Sequence, residues 1–182
     1  GLVGSEMCIR DRKYATLRVI EVVDFGVYLD GENLGKILVP KRYVPKECKV
    51  DHELEVFIYL DSEDRVIATT ERPFATVGEF AFLRVAQVTN VGAFLDWGLS
   101  KDLLVPFREQ KQRMEVDRWY VVYIYLDTET NRIAASAKIE KFLDNIPPDY
   151  TTGQEVEVMV YTRTDLGYNV IVNNLHMGLI YH

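Results

Sequence analysis

Few side chains in this 182-residue chain have the type and spacing that bond-making chemistry needs. His52, His176 and His182 share no ligand spacing, and Cys8 and Cys48 lack the spacing of a metal site. The carboxylates fall mostly at turns, as in Asp61-Ser62-Glu63-Asp64. No Ser/His/Asp or Cys/His arrangement recurs by position, and no glycine loop is built to cradle a phosphate. A binding module is expected, not an enzyme, with no metal and no cofactor. Two loops are rich in positive charge: Lys41, Arg42, Lys46 and Lys49 in one, and Arg108, Lys111, Arg113 and Arg118 in the other. Such loops either contact an anionic partner or are solvated surface, and Glu47 and Asp51 lie among the first set.

A repeat positions these residues. Asp24-Phe25-Gly26-Val27-Tyr28-Leu29-Asp30 returns as Asn90-Val91-Gly92-Ala93-Phe94-Leu95-Asp96, and more weakly as Asp165-Leu166-Gly167-Tyr168-Asn169-Val170-Ile171. The glycine steps by 66 residues, then by 75. Pro40 and Pro106, Tyr59-Leu60-Asp61 and Tyr125-Leu126-Asp127, and Ile67-Ala68 and Ile133-Ala134 all keep the first step. One offset held across a whole unit marks a tandem array.

Within a unit the alternation of apolar and polar residues predicts short strands. In the first they cover Ala15–Val23, Phe25–Leu29, Gly35–Val39, Leu54–Leu60 and Val66–Thr70. The second repeats them at Phe82–Val88, Ala93–Asp96, Asp102–Val105, Trp119–Leu126 and Arg132–Ala137. Five strands at this length, with no convincing helix, predict an all-β, five-stranded OB-fold barrel, whose closure removes exposed strand edges. The glycine in the second strand suggests a bulge or tight bend. The expected divisions are a non-native tail over 1–12, units over 13–72 and 76–139, a linker over 140–152, and a truncated unit over 153–182. The tail resembles a translated sequencing adapter. The linker is expected to open with a helical turn and to end it at Pro147-Pro148. Strands near Glu155–Tyr161, Tyr168–Val172 and Gly178–Tyr181 leave the third unit two short, so it is expected to be the least stable part.

A net charge of −7 argues against tight non-specific binding to duplex DNA. It leaves room for a local basic face. Two cysteines cannot staple a secreted fold, and no run approaches a membrane span. A cytoplasmic monomer is expected.

The motifs Gly26-Val27-Tyr28-Leu29 with Ile37-Leu38-Val39, and Gly92-Ala93-Phe94-Leu95 with Leu103-Leu104-Val105, resemble the S1 RNA-binding domain, an OB-fold subclass. The later turns, Asp61 through Arg65-Val66-Ile67 and Asp127 through Arg132-Ile133, fit the same pattern, as does Gly178-Leu179-Ile180-Tyr181. Three such units with a Leu-Val-Pro element resemble the bacterial conserved virulence factor B family, which implies a missing winged helix beyond residue 182. The resemblance implies single-stranded RNA as partner, with bases stacked on second-strand aromatics and phosphates met by cations. Phe25, Tyr28 and Phe94 match the stacking positions, whereas Val91, Leu166 and Asn169 do not. Lys41, Arg42, Arg108, Arg132 and the pair Asp61–Arg65 complete the expected site. The histidine often found on the third strand is replaced by Val39, Val105 and Tyr181.

Other readings stand beside this one. Tyr28 and Phe94 could be cross-strand packing, and Trp97 and Trp119 packing or contacts between units. Degenerate units could bind ribosomal or RNA-processing proteins, or serve as an accessory array of a nuclease or translation factor. Bacterial post-transcriptional regulation is the role the resemblance implies.

Overall fold

The computed structural model describes residues 14–182, so the reading of residues 1–12 as a non-native tail lies outside the described residues. The described chain is built from strands, short 3-10 turns and loops, and none of its helices is long and apolar enough to cross a membrane. Strands β1 (Tyr14–Val23), β2 (Gly26–Asp30), β3 (Lys36–Pro40), β4 (Glu53–Leu60) and β5 (Val66–Thr69) close a barrel in the order β1-β2-β3-β5-β4. Strands β6 (Phe80–Val88), β7 (Gly92–Asp96), β8 (Leu103–Pro106), β9 (Trp119–Asp127) and β10 (Arg132–Ser136) close a second with the same connectivity. The OB-type fold expected from the strand pattern is the fold observed.

Register explains why each barrel closes. In the first, β2 pairs with β3 from Gly26↔Pro40 to Asp30↔Lys36, and a single parallel contact, Leu38↔Ile67, joins β3 to β5. The second barrel repeats these as Gly92↔Pro106 and Leu104↔Ala134. The tight bend expected at the glycine is the two-residue turn Asp24-Phe25 that Gly26 closes against Val23, whereas the bulge lies in the preceding strand. Register slips between Val19 and Glu21, between Val85 and Gln87, and between Val160 and Thr162. The extra residue bends the first strand so that it can pair with two neighbours around the barrel.

Inward residues fill each barrel. Leu17, Val19, Val27, Leu29, Ile37, Val39, Val56 and Ile58 form the first core. The alternation along β4 also places Phe57 and Tyr59 on its outer face, yet both are buried. Their cover is the second barrel: Phe57 meets Trp97 edge to face at 5.7 Å, and both join the second barrel's cluster. Trp97 is thus a contact between units, whereas Trp119 remains 54% exposed against Phe82. Burying a phenylalanine this way contributes about 1.5–3 kcal/mol, so the barrels stabilise one another.

The same device continues one unit on. Tyr123, the repeat equivalent of Phe57, stacks on Phe142 at 4.1 Å. Phe142 ends the 3-10 turn Ile139–Phe142, the helical turn expected at the linker start. It stops at an extended Leu143, ahead of the prolines. Leu143 and Ile171 join Phe80 and Ile139 in a third cluster, which holds the last sheet against the second barrel. That sheet comprises β11 (Val158–Thr164), β12 (Gly167–Val172) and β13 (His176–Tyr181) and stays open. Asn174 fastens it by accepting from the Phe80 N–H (3.0 Å) and donating to the Gly78 carbonyl (2.8 Å). Val158, Val160 and Ile180 are 44–52% exposed, whereas their equivalents Leu17, Val19 and Val39 are at most 6% exposed inside the first barrel.

Candidate nucleic-acid interface

Each barrel's outer face begins at its repeated glycine. Gly26 and Gly92 have φ of +155° and +151°, and an added Cβ would lie 2.1 Å from the Val39 carbonyl oxygen and 2.3 Å from that of Val105. Only glycine lets the second strand start so close to the third. Two residues later the chain turns Tyr28 outward, opposite Leu38, and Phe94 outward, opposite Leu104. Alternation sends Val39 and Val105 into the cores, with 0% exposure. The outward places on the third strand belong to Leu38 and Pro40, and to Leu104 and Pro106, because side chains alternate across a strand; Tyr181, opposite Gly167, takes the place of Pro40 and Pro106, not that of Val39 and Val105.

On the first face Phe25 is 56% exposed and meets Tyr28 edge to face, with ring centroids 6.2 Å apart. Tyr28 itself is half-buried. Lys36, which sequence reading left out, holds its Nζ 5.7 Å from the Tyr28 ring centroid and 2.7 Å from Glu21 Oε2. The Glu21 hydrogen bond raises the Lys36 pKa, so the ammonium stays charged beside the ring. Strand alternation could have found Lys36, since it shares a face with Leu38 two residues on. Arg42 lies over the Tyr43 ring at 4.7 Å, and Lys41 is exposed.

Asp61 and Arg65 form the expected pair, Nε to Oδ2 at 2.9 Å. Asp61 also accepts from the backbone N–H groups of Glu63 (2.8 Å) and Arg65 (3.0 Å), so the pair closes its own turn. Desolvation works to raise the Asp61 pKa, but these hydrogen bonds outweigh it and hold the carboxyl below its ordinary value.

On the second face Phe94 is half-buried and lines a cleft of about 740 Å³. Leu104 and Ile133 share its lining, with Arg108 and Asp102 and, from the first barrel, Asp64. Val91, at the position of Phe25, is 53% exposed and adds no ring. The acid–arginine pair of the first turn is not repeated. Arg132 reaches across to Asp64 Oδ1 at 2.6 Å and to the Ser62 carbonyl at 3.3 Å, while Asp127 pairs with Arg108 at 3.5 Å. The second turn is one residue longer, Arg132 following Asp127 by five where Arg65 follows Asp61 by four; Arg132 still stands opposite Asp127 in the β9–β10 ladder, but its guanidinium goes to Asp64 of the first barrel instead.

Lys101 and Asp102 are further cleft residues that sequence reading did not single out. Lys101 Nζ donates to the Leu60 carbonyl at 2.7 Å, and burial pushes its pKa down, helped by the nearby Arg132. Burial pushes the Asp102 carboxyl up, with Asp96 adding to the rise and Arg84 opposing it. The third sheet repeats the glycine geometry at Gly167, φ +152°, but exposes Leu166 and half-buries Asn169 at the two stacking places. Among the described residues no cluster of His, Cys, Asp and Glu could hold a metal ion.

Comparison with known proteins agrees with this architecture. A 99-residue stretch is 36% identical to the uncharacterized protein YitL of Bacillus subtilis, covering 53% of this chain and 33% of that protein. Conserved virulence factor B of Staphylococcus saprophyticus is 24% identical over 66% of this chain and 43% of its own. Its Staphylococcus aureus USA300 counterpart is 23% identical over 76% and 48%. The chain therefore spans between a third and about half of these relatives' lengths. A crystal structure of a multidomain protein with nucleic acid binding domains from Streptococcus pneumoniae shares the fold, with a TM-score of 0.60 at 19% identity over 94% of this chain and 62% of that one. The S1 domain family model matches residues 13–71 and again 77–138, the span of the two closed barrels, and the chain belongs to the S1 domain family.

Proposed function

We propose that this protein binds single-stranded RNA on the outer faces of its two barrels, as a binding protein rather than an enzyme. Bases stack on Phe25, Tyr28 and Phe94. Phosphates meet Lys41, Arg42, Arg65 and Arg108, with Arg132 available once it leaves Asp64, and Asp61 orients Arg65. Its units run over 13–72, 76–139 and 153–182, and the protein acts as a cytoplasmic monomer in bacterial post-transcriptional regulation. The observation that carries this reading is the Phe25–Tyr28 pair, an exposed aromatic edge standing on a sheet face with a cation beside it. Aromatic faces with nearby positive charge are what an unstructured strand requires, because every base offers a π-face. The S1 family match supports it, as does the fold shared with a protein described as having nucleic acid binding domains.

A second reading, a scaffold for ribosomal or RNA-processing proteins, is favoured by the four carboxylates of the second cleft: Asp64, Asp102, Asp127 and Glu129. Titration of a labelled unstructured RNA, beside a duplex of the same sequence, separates the two. Single-strand binding that weakens as salt rises is the expected result. Absence of binding to either RNA at low salt would reject the proposal and leave the scaffold reading.

A further inference from the structure

The two faces carry opposite charges at one position. Across the β2–β3 ladder Lys36 pairs with Asp30, diagonal to Tyr28. Continuing the β7–β8 register past Leu95↔Leu103 puts Asp102 opposite Asp96, diagonal to Phe94. The offset is 66 residues, so Asp102 stands where the first barrel has Lys36. In the first barrel that diagonal place brings Nζ within 5.7 Å of the ring centroid, close enough to meet the edge of a stacked base. Asp102 lines the same cleft as Phe94, and among the described residues no hydrogen bond or ion pair engages its carboxylate.

We propose that the second face selects its base, Asp102 accepting a hydrogen bond from the exocyclic amine of a cytosine stacked on Phe94. This rests on the single-strand reading above. An ionised carboxylate only accepts hydrogen bonds. Cytosine presents an N4 amine at this edge, whereas uracil presents the O4 acceptor. A uracil in the same pose would set its O4 against the carboxylate, acceptor facing acceptor, and would have to shift to bring its N3–H to Asp102 instead, so cytosine is favoured. Arg108, in the same cleft, is placed to meet the strand's phosphate.

The test is fluorescence anisotropy of short labelled cytidine and uridine homopolymers on the full chain at neutral pH, with the first face disabled by Phe25→Ala and Tyr28→Ala because its Lys36 has the opposite preference. In that background the second face should bind cytidine about tenfold more tightly than uridine, the size of one hydrogen bond to a charged group. Adding Asp102→Ala should bring the two affinities together, and adding Asp102→Lys, which installs the first barrel's residue, should reverse the order. Equal affinities in the Phe25→Ala/Tyr28→Ala background, or a preference that survives both Asp102 substitutions, would overturn the inference while leaving RNA binding in place. Failure of wild type to bind either homopolymer would overturn the single-strand reading itself, and the base preference with it.

Discussion

The two barrels have one backbone and two different faces. Each starts at a glycine pressed against a third-strand carbonyl, and each turns an aromatic outward two residues later. On the first, Tyr28 has a second ring, Phe25, and a cation, Lys36, and its turn is closed locally by Asp61 and Arg65. On the second, Phe94 has neither companion and lies in a cleft walled by the first barrel, with a carboxylate at the diagonal position. The repeat thus sets where side chains stand, and single differences at equivalent positions give the two faces different chemistry. The wall exists because the outer face of β4 carries Phe57 and Tyr59, which the second barrel covers.

The comparison can be broken at several points. Phe57→Ala should have the largest effect, about 3–5 kcal/mol in urea unfolding, because the lost ring serves both barrels. It should also separate one cooperative transition into two. Next, Gly92→Ala should cost about 1–3 kcal/mol in thermal unfolding, since its φ and the nearby Val105 oxygen both reject a Cβ. Loss of RNA binding should then be confined to the second face.

Asp64→Asn should change stability by less than about 1 kcal/mol, as the Asp64–Arg132 pair is partly exposed. It frees Arg132, however, so RNA affinity should rise, with the salt slope steeper by about 0.7 for the one phosphate gained. Smallest is a pH effect at the first turn. The Asp61 pKa is lower folded than unfolded, so its contribution is present above the ordinary carboxylate range and is lost as pH falls through the folded value. Asp61→Asn should therefore flatten the acid limb of the stability curve below about pH 4, while Asp61 in wild type keeps it steep.

Much of this was legible in the chain. The glycine spacing, the proline markers and period-two alternation predicted both barrels and where their strands fall along the chain, because those features act within a unit. Contacts between units were not. Alternation put Phe57 and Tyr59 on the second face of β4 but could not say that Trp97 would cover them. Arg132 reads as a local partner of Asp127 until the fold brings Asp64, 68 residues back, within reach. Strand β11 lies three residues beyond its expected span, because apolar residues continue on both sides of its start. Of the expected site, Phe25 and Tyr28 stand together at the first β2–β3 ladder while Arg42 lies apart over Tyr43, and Phe94, Arg108 and Arg132 share the second cleft. Lys36 was within reach of strand alternation, whereas the change from Lys36 to Asp102 shows only when charges are compared at the repeat offset.

The most direct measurement is fluorescence titration of a short single-stranded RNA against wild type, Tyr28→Ala, Phe94→Ala and the double variant, each at two salt concentrations. Binding that weakens with salt, falls by about 1–3 kcal/mol per lost ring, and falls furthest in the double variant is the predicted result. Affinity unchanged in the double variant would contradict stacking on the second strands and move the contact to the basic loops.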